Sequence, residues 1–145
     1  MKKTTYQKMT NKDKELLDAA EKSIENAYSP YSNFMVGAAL LTDNNQIIVG
    51  SNVENIAYGA TICAERSAIS KANTQGLRNF SKIAVIGKGS DKKYNEIVSP
   101  CGCCRQVISE FAKISKTNIT VIMSNPKKNR VIISTIKELL PLAFK

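Results

Sequence analysis

The stretch "SPCGCCRQV", residues 99–107, packs three of the chain's four cysteines into four positions, in a sequence that contains no histidine. Any zinc-type site in such a chain has to be built from thiolates, with carboxylates as the remaining donors. Pro100 reads as the opening of a helix. Successive helical side chains rotate by about 100°, which brings Cys101 and Cys104 within about 60° of each other on one face and turns Cys103 away. The fourth cysteine, Cys63, lies upstream in "TICAERSAI". Thr61 reads as the cap of a helix over "CAERSAISKAN", closed by Gly76, so both cysteine stretches fall at helix starts. There the exposed N–H groups and the positive end of the helix dipole stabilise thiolate, the form that binds metal.

A C-x-x-C spacing by itself also fits a thioredoxin-like redox pair. That arrangement wants the pair directly after the first strand of a βαβ unit, and it leaves Cys63 and Glu65 without a role. Three cysteines with one open position is the donor set of a catalytic zinc, whereas a structural site is closed by a fourth protein ligand. Cys103 as that fourth thiolate would close the site, but adjacent cysteines rarely both reach one tetrahedral ion. Taken alone, Cys63 reads equally as a buried helix residue and Glu65 as a surface glutamate. Together, in "CAE", the carboxylate follows the ligand by two residues and can point past the metal toward the open position, where it is a candidate proton shuttle.

A chain of 145 residues, 43% hydrophobic, buries one core of ordinary size, and no Gly/Ser-rich or Pro-rich stretch divides it. One domain over residues 1–145 is expected, with 1–10 as a flexible basic N-terminus. The N-terminal residues lack the apolar core of a signal peptide, and no apolar run approaches the roughly 18 residues of a membrane span. A cytoplasmic protein with free thiols follows as the expectation. The balance of 21 Lys+Arg against 12 Asp+Glu, formally +9, invites a nucleic-acid reading. Its distribution argues the other way, because the lysines fall in scattered pairs with no basic block interleaved with aromatics and no tryptophan.

Apolar positions Leu16, Leu17, Ala20, Ile24 and Ala27 recur at helical spacing behind the capping-box-like "TNKD". "FMVGAALLT" and "IIVGSNV", joined by "DNNQ", predict a β-hairpin. "KIAVIG", "NITVIM" and "RVIIS" predict three further strands, and "TIKE" (135–138) a capping box for a short last helix. The order α-β-β-α-β-α-β-β-α predicts a single three-layer α/β/α domain with a mixed five-stranded sheet.

"CAE" followed at a distance by "PCGCC" resembles the C-x-E … P-C-x-x-C signature of zinc-dependent nucleoside deaminases, in which three cysteines are an accepted ligand set. "YSPYSNFMVGAALLT", "NVENIAYGATICAER", "SPCGCCRQVISEF" and "ELLPLAF" extend the resemblance to the small homotetrameric cytidine deaminases, from about Tyr28 to Phe144. The resemblance implies one zinc per chain held by Cys63, Cys101 and Cys104, with Glu65 as the proton shuttle. It also implies that Asn52 and Glu54 hold the ribose hydroxyls, that Phe34 packs on the base, and that Phe144 enters a neighbouring subunit's site. Arg66 is implied as the cation that hydrogen-bonds the ligand thiolates. Cys103 stands where the family commonly has a small or other non-ligand residue. The implied reaction is hydrolytic deamination of cytidine or deoxycytidine, since the "NVEN" contacts admit either sugar, in pyrimidine salvage. Two other readings share some of these residues: a blasticidin-type nucleoside deaminase, and a non-enzymatic basic RNA-binding module around a structural zinc.

Overall fold

The periodic apolar positions that begin at Leu16 become α1 (Asn11–Ser23), started by Thr10, whose hydroxyl accepts from the Asp13 amide at 3.2 Å. The return half of the capping box does not form, because the Asp13 carboxylate is taken by Lys82 at 2.5 Å. The hairpin forms as expected, from β2 (Phe34–Thr42) and β3 (Ile47–Ser51), with Asn45 at its turn in the left-handed region (φ 66°). Then come α2 (Ala64–Thr74), β4 (Phe80–Gly89), α3 (Gly102–Ile114), β5 (Thr120–Ser124), β6 (Val131–Thr135) and α4 (Ile136–Leu139). The last helix carries the full capping box between Thr135 and Glu138. This computed structural model describes residues 1–91 and 93–144.

The sheet has six strands, not five, because Lys2–Thr4 form an additional edge strand, β1, antiparallel to β6. "KKT" has no alternating apolar pattern to announce a strand; its backbone simply satisfies the open edge of β6. Residues 1–10, expected as a flexible basic N-terminus, also lie against α1 and Lys128. The Tyr6 hydroxyl donates to Asp18 at 2.5 Å, and Lys128, 4.5 Å above the Tyr6 ring, pairs with both Asp18 and Glu21.

Strand order is β1-β6-β5-β4-β2-β3, and only the β4/β5 pair is parallel. α1 covers one face, with Leu16, Leu17 and Ala20 against Ala39, Leu41, Ala84 and Ile86. α2 and α3 cover the other, with Ala68, Ile69 and Ile108 against Leu40, Ile83, Val85 and Val121. The expected three-layer α/β/α class therefore holds. No helix among the described residues is long and apolar enough to cross a membrane.

Two strand glycines set how closely the helices lie. A Cβ on Gly37 would sit 1.9 Å from the Ala20 carbonyl oxygen of α1, and one on Gly50 2.3 Å from the Ala68 amide nitrogen and 2.6 Å from the Ala64 carbonyl oxygen of α2. The second contact brings the first turn of α2 down onto the sheet. β3 and β4 are both antiparallel to β2, so the start of β2 and the ends of β3 and β4 share one end of the sheet. From that end the chain passes into α2 and α3.

Candidate metal centre and active site

Cys63 and Cys101 are themselves the N-caps of α2 and α3, in extended conformation (φ −70°, ψ 154° and φ −67°, ψ 171°). This revises the sequence reading, in which Thr61 capped the second helix and Cys101 lay inside the third. Thr61 instead ends a single turn of 3-10 helix (Tyr58–Ala60). The pairing of Cys101 with Cys104 survives for a different reason: an N-cap side chain folds back over the third helical residue, and Cys104 holds that position in α3. Cys63 is delivered by a short antiparallel bridge in which Val53 and Ile62 exchange two backbone bonds of 2.9 Å. Asn52 and Glu54 flank Val53, so one bridge brings "NVEN" beside "CAE".

The sulfurs of Cys63, Cys101 and Cys104 all lie within 4.8 Å of one another, and Cys63 and Cys101 are 3.9 Å apart. Tetrahedral ligation at a Zn–S distance of about 2.3 Å places sulfurs about 3.8 Å apart, so the cluster fits a zinc ion. Cys103 is exposed and stands outside the cluster. The three cysteines grade from buried Cys104 through half-buried Cys63 to exposed Cys101, which leaves one side of the cluster open at the surface.

Two helix N-termini converge on these sulfurs, and their charge is unevenly held. The Cys63 thiol is brought down to about 5, first by a hydrogen bond with Cys104 and then by Arg66. The Cys104 thiol is pushed up by the same bond and by burial. Arg66 Nη2 lies 3.9 Å from Cys63 Sγ and donates to the Thr61 carbonyl at 2.8 Å, while its Nε is buried without a protein partner. The thiolate raises the guanidinium's own pKa in turn.

Glu65, the second residue of α2, is 3% exposed. Burial raises its carboxyl above the ordinary range, and the Cys63 charge adds to that effect. A buried carboxyl beside this sulfur cluster, with no cation bonded to it among the described residues, is suited to holding and releasing a proton rather than to an ion pair.

Asn52, 8% exposed, braces the start of β2: its Oδ1 accepts from the Val36 amide at 2.8 Å and its Nδ2 donates to the Phe34 carbonyl at 2.9 Å. Glu54 accepts from the Tyr31 amide at 2.9 Å, from the Ser32 amide at 3.2 Å and from the Ser32 hydroxyl. These donors hold its carboxyl below the usual value, the Ser32 hydroxyl contributing most. Tyr31 and Ser32 had no part in the reading of the sequence, although the polar turn residues of "SPYSN" were the available signal. Phe34 opens β2 on the α2/α3 side of the sheet. Phe144 is not among the residues brought together: it is 84% exposed, and its carbonyl accepts from Gln106 of α3 at 3.1 Å.

A family model described as cytidine and deoxycytidylate deaminase zinc-binding region matches residues 10–121. A cytidine deaminase of Sporosarcina psychrophila is 44% identical over 129 residues, 89% of this chain and 88% of that protein. Blasticidin-S deaminase of Bacillus cereus is 31% identical over 139 residues, 94% of each. Among solved structures, a cytidine deaminase from Burkholderia pseudomallei superposes with a TM-score of 0.78 at 40% identity, covering 94% of this chain and all of that one.

Proposed function

Because this chain belongs to the cytidine and deoxycytidylate deaminase family, we propose that it hydrolyses cytidine, and deoxycytidine as well, to the uracil nucleoside and ammonia in pyrimidine salvage. The observation that carries the reading is the meeting of three cysteine sulfurs within 4.8 Å beside a buried glutamate. Cys63, Cys101 and Cys104 would hold one zinc ion. When bound, it supplies the Lewis acidity that makes water a nucleophile near neutral pH.

The chain's own groups do the rest. Glu65 takes a proton from the incoming water and delivers it to N3 of the base, then takes the proton of the new C4 hydroxyl and passes it to the departing amino group, so that cytidine and water become uridine and ammonia. Arg66 and the two helix N-termini offset the net −1 of three thiolates and a divalent ion. Phe34 packs on the base. Glu54, kept ionised by the 31–32 turn, accepts a ribose hydroxyl, and Asn52 offers the amide hydrogen that β2 does not use.

The site is open on one side in a single chain, and a group of exposed apolar residues surrounds it in sequence: Tyr28, Tyr31, Val53, Ile56, Tyr58 and Ile62. Both features support a homotetramer in which Phe144 of one subunit closes the site of another. The uncapped thiols are suited to a reducing cytoplasm.

The test is zinc content per chain measured together with nucleoside turnover. About one zinc per chain with equimolar uridine and ammonia is expected. Zinc-replete protein inert on both nucleosides would end the proposal. Faster turnover of blasticidin S would shift it to the blasticidin-type reading, and salt-dependent RNA retention without turnover would shift it to an RNA-binding module.

A further inference from the structure

Phe34 lies in a trough made by missing side chains. It pairs with Gly89 across β2 and β4, and the next position on the same face, Val36, pairs with Gly87. A Cβ on Gly87 would stand 3.2 Å from Phe34 Cε1, and one on Gly89 3.4 Å from Phe34 Cδ2. The ring therefore rests on bare backbone, and β4 offers no side chain to stop it from rotating or sliding. What flanks it comes from the loop between β4 and α3. Val98 Cγ2 would be 3.1 Å from that same Gly87 Cβ, and the Tyr94 ring meets the Phe34 ring edge-on, with centroids 5.2 Å apart and planes at 86°.

The loop is fixed directly after Tyr94. Asn125, fully buried at the end of β5, donates to Asn95 Oδ1 at 2.7 Å and accepts the Arg130 amide at 2.9 Å. Arg130 also reaches the Asn95 carbonyl and, at 3.4 Å, Glu96, while the Val98 amide donates to the Ser124 carbonyl at 3.2 Å. On its other side, the Tyr94 amide donates to the Asp91 carbonyl at 3.0 Å. A tyrosine whose amide is bonded and whose following residue is anchored to a buried asparagine is a firm edge support for the ring it touches.

We propose that Tyr94 is a positioning residue for the substrate base: its ring fixes the Phe34 ring in the orientation on which the base packs. This rests on the reading of Phe34 as the base-packing aromatic. The effect is on binding, since neither residue is among the groups that would hold the metal or move the proton, and it belongs to the ring rather than to the hydroxyl. An edge-to-face pair contributes about 0.5–1.5 kcal/mol beyond burial, equivalent to about 2- to 12-fold in an equilibrium constant.

The test is steady-state cytidine kinetics on zinc-replete Tyr94→Ala, Tyr94→Phe, Phe34→Leu and the double variant. Tyr94→Ala should raise KM about 2- to 12-fold with kcat and zinc content within about twofold of wild type, and Tyr94→Phe should restore KM. In the Phe34→Leu background, Tyr94→Ala should add little, because the contact it removes is already gone. A raised KM in Phe34→Leu with none in Tyr94→Ala overturns the role of Tyr94 alone. So does an equal penalty for Tyr94→Ala in both backgrounds, or a Tyr94→Phe as impaired as Tyr94→Ala. An unchanged KM in Phe34→Leu overturns the reading of Phe34, and the positioning role with it.

Discussion

Four helices of this protein begin in two different ways. α1 and α4 start at threonines whose hydroxyls accept from the third helical amide, Thr10 from Asp13 and Thr135 from Glu138. α2 and α3 start at Cys63 and Cys101, neither of which makes a side-chain cap hydrogen bond. A good N-cap is worth about 1 kcal/mol, and a sulfur is a poor acceptor. The two helices that carry the cysteines thus forgo an ordinary stabilising contact, and the same backbone position, in extended conformation, presents a sulfur to the cluster instead. Within one fold, the N-cap serves stability on one pair of helices and chemistry on the other.

The sharpest way to break that comparison is to remove a cap sulfur. Cys101→Ala, and equally Cys63→Ala or the buried Cys104→Ala, should leave well under one zinc per chain and lower kcat/KM by roughly 10³-fold or more, since two sulfurs fall short of the three protein ligands of a catalytic zinc site. Metal analysis alongside kinetics checks it. Full zinc occupancy in any of the three would mean that another group ligates.

A smaller effect is expected one step from the ligands. Glu65→Gln keeps the size and burial of the side chain but removes the group that accepts the proton, so zinc should remain while kcat falls by about 10²–10⁴-fold. Loss of zinc in this variant would make Glu65 a ligand and α2 a bidentate element.

The cap itself can be tested with the metal removed. Thr10→Ala should cost about 1 kcal/mol with kcat unchanged. Cys101→Asp, compared with wild type in the presence of a chelator, should gain a similar amount, because a carboxylate accepts from the third amide and complements the helix dipole. Denaturant unfolding of chelated protein measures both. If Cys101→Asp brings no gain, the cysteine N-caps are not under-satisfied and the contrast with Thr10 and Thr135 disappears.

Most of this was legible where local chemistry decides structure. Thr135 and Glu138 form the capping box that "TIKE" announces, and the hairpin turn falls on the asparagines of "DNNQ". The meeting of Cys63, Cys101 and Cys104 was legible because a chain without histidine leaves few donors. What could not be read was set by contacts between distant segments. β1 exists only because β6 has an open edge for "KKT" to pair with, and Cys63 became the cap in place of Thr61 because Ile62 is held in a bridge to Val53. The Glu54 carboxylate meets Tyr31 and Ser32 across a loop with no periodicity. Tyr94 lies in "KKYNEIV", which reads as a plain polar loop until Gly87 and Gly89 are seen to leave the Phe34 ring bare.

The smallest expected effect lies between two of the largest. Cys103 is separated from Cys101 by one residue and adjoins Cys104, yet it is exposed and outside the cluster, because it follows the N-cap by two positions while the back-folding geometry joins the N-cap to the third. Cys103→Ala should therefore keep about one zinc per chain and kcat/KM within about twofold of wild type. Alanine also suits the first turn of a helix, so stability should move by no more than about 0.5 kcal/mol. A thiol count gives a second readout. In zinc-replete protein the ligand sulfurs are held by the metal, so a mild alkylating reagent should label about one thiol per chain quickly in wild type and none in Cys103→Ala. With chelator present, both proteins should gain further labelling as the ligands are released. Loss of zinc from Cys103→Ala would place four thiolates around the ion and leave no open position for hydrolysis, and the division of labour among the N-caps would have to be redrawn around a closed site.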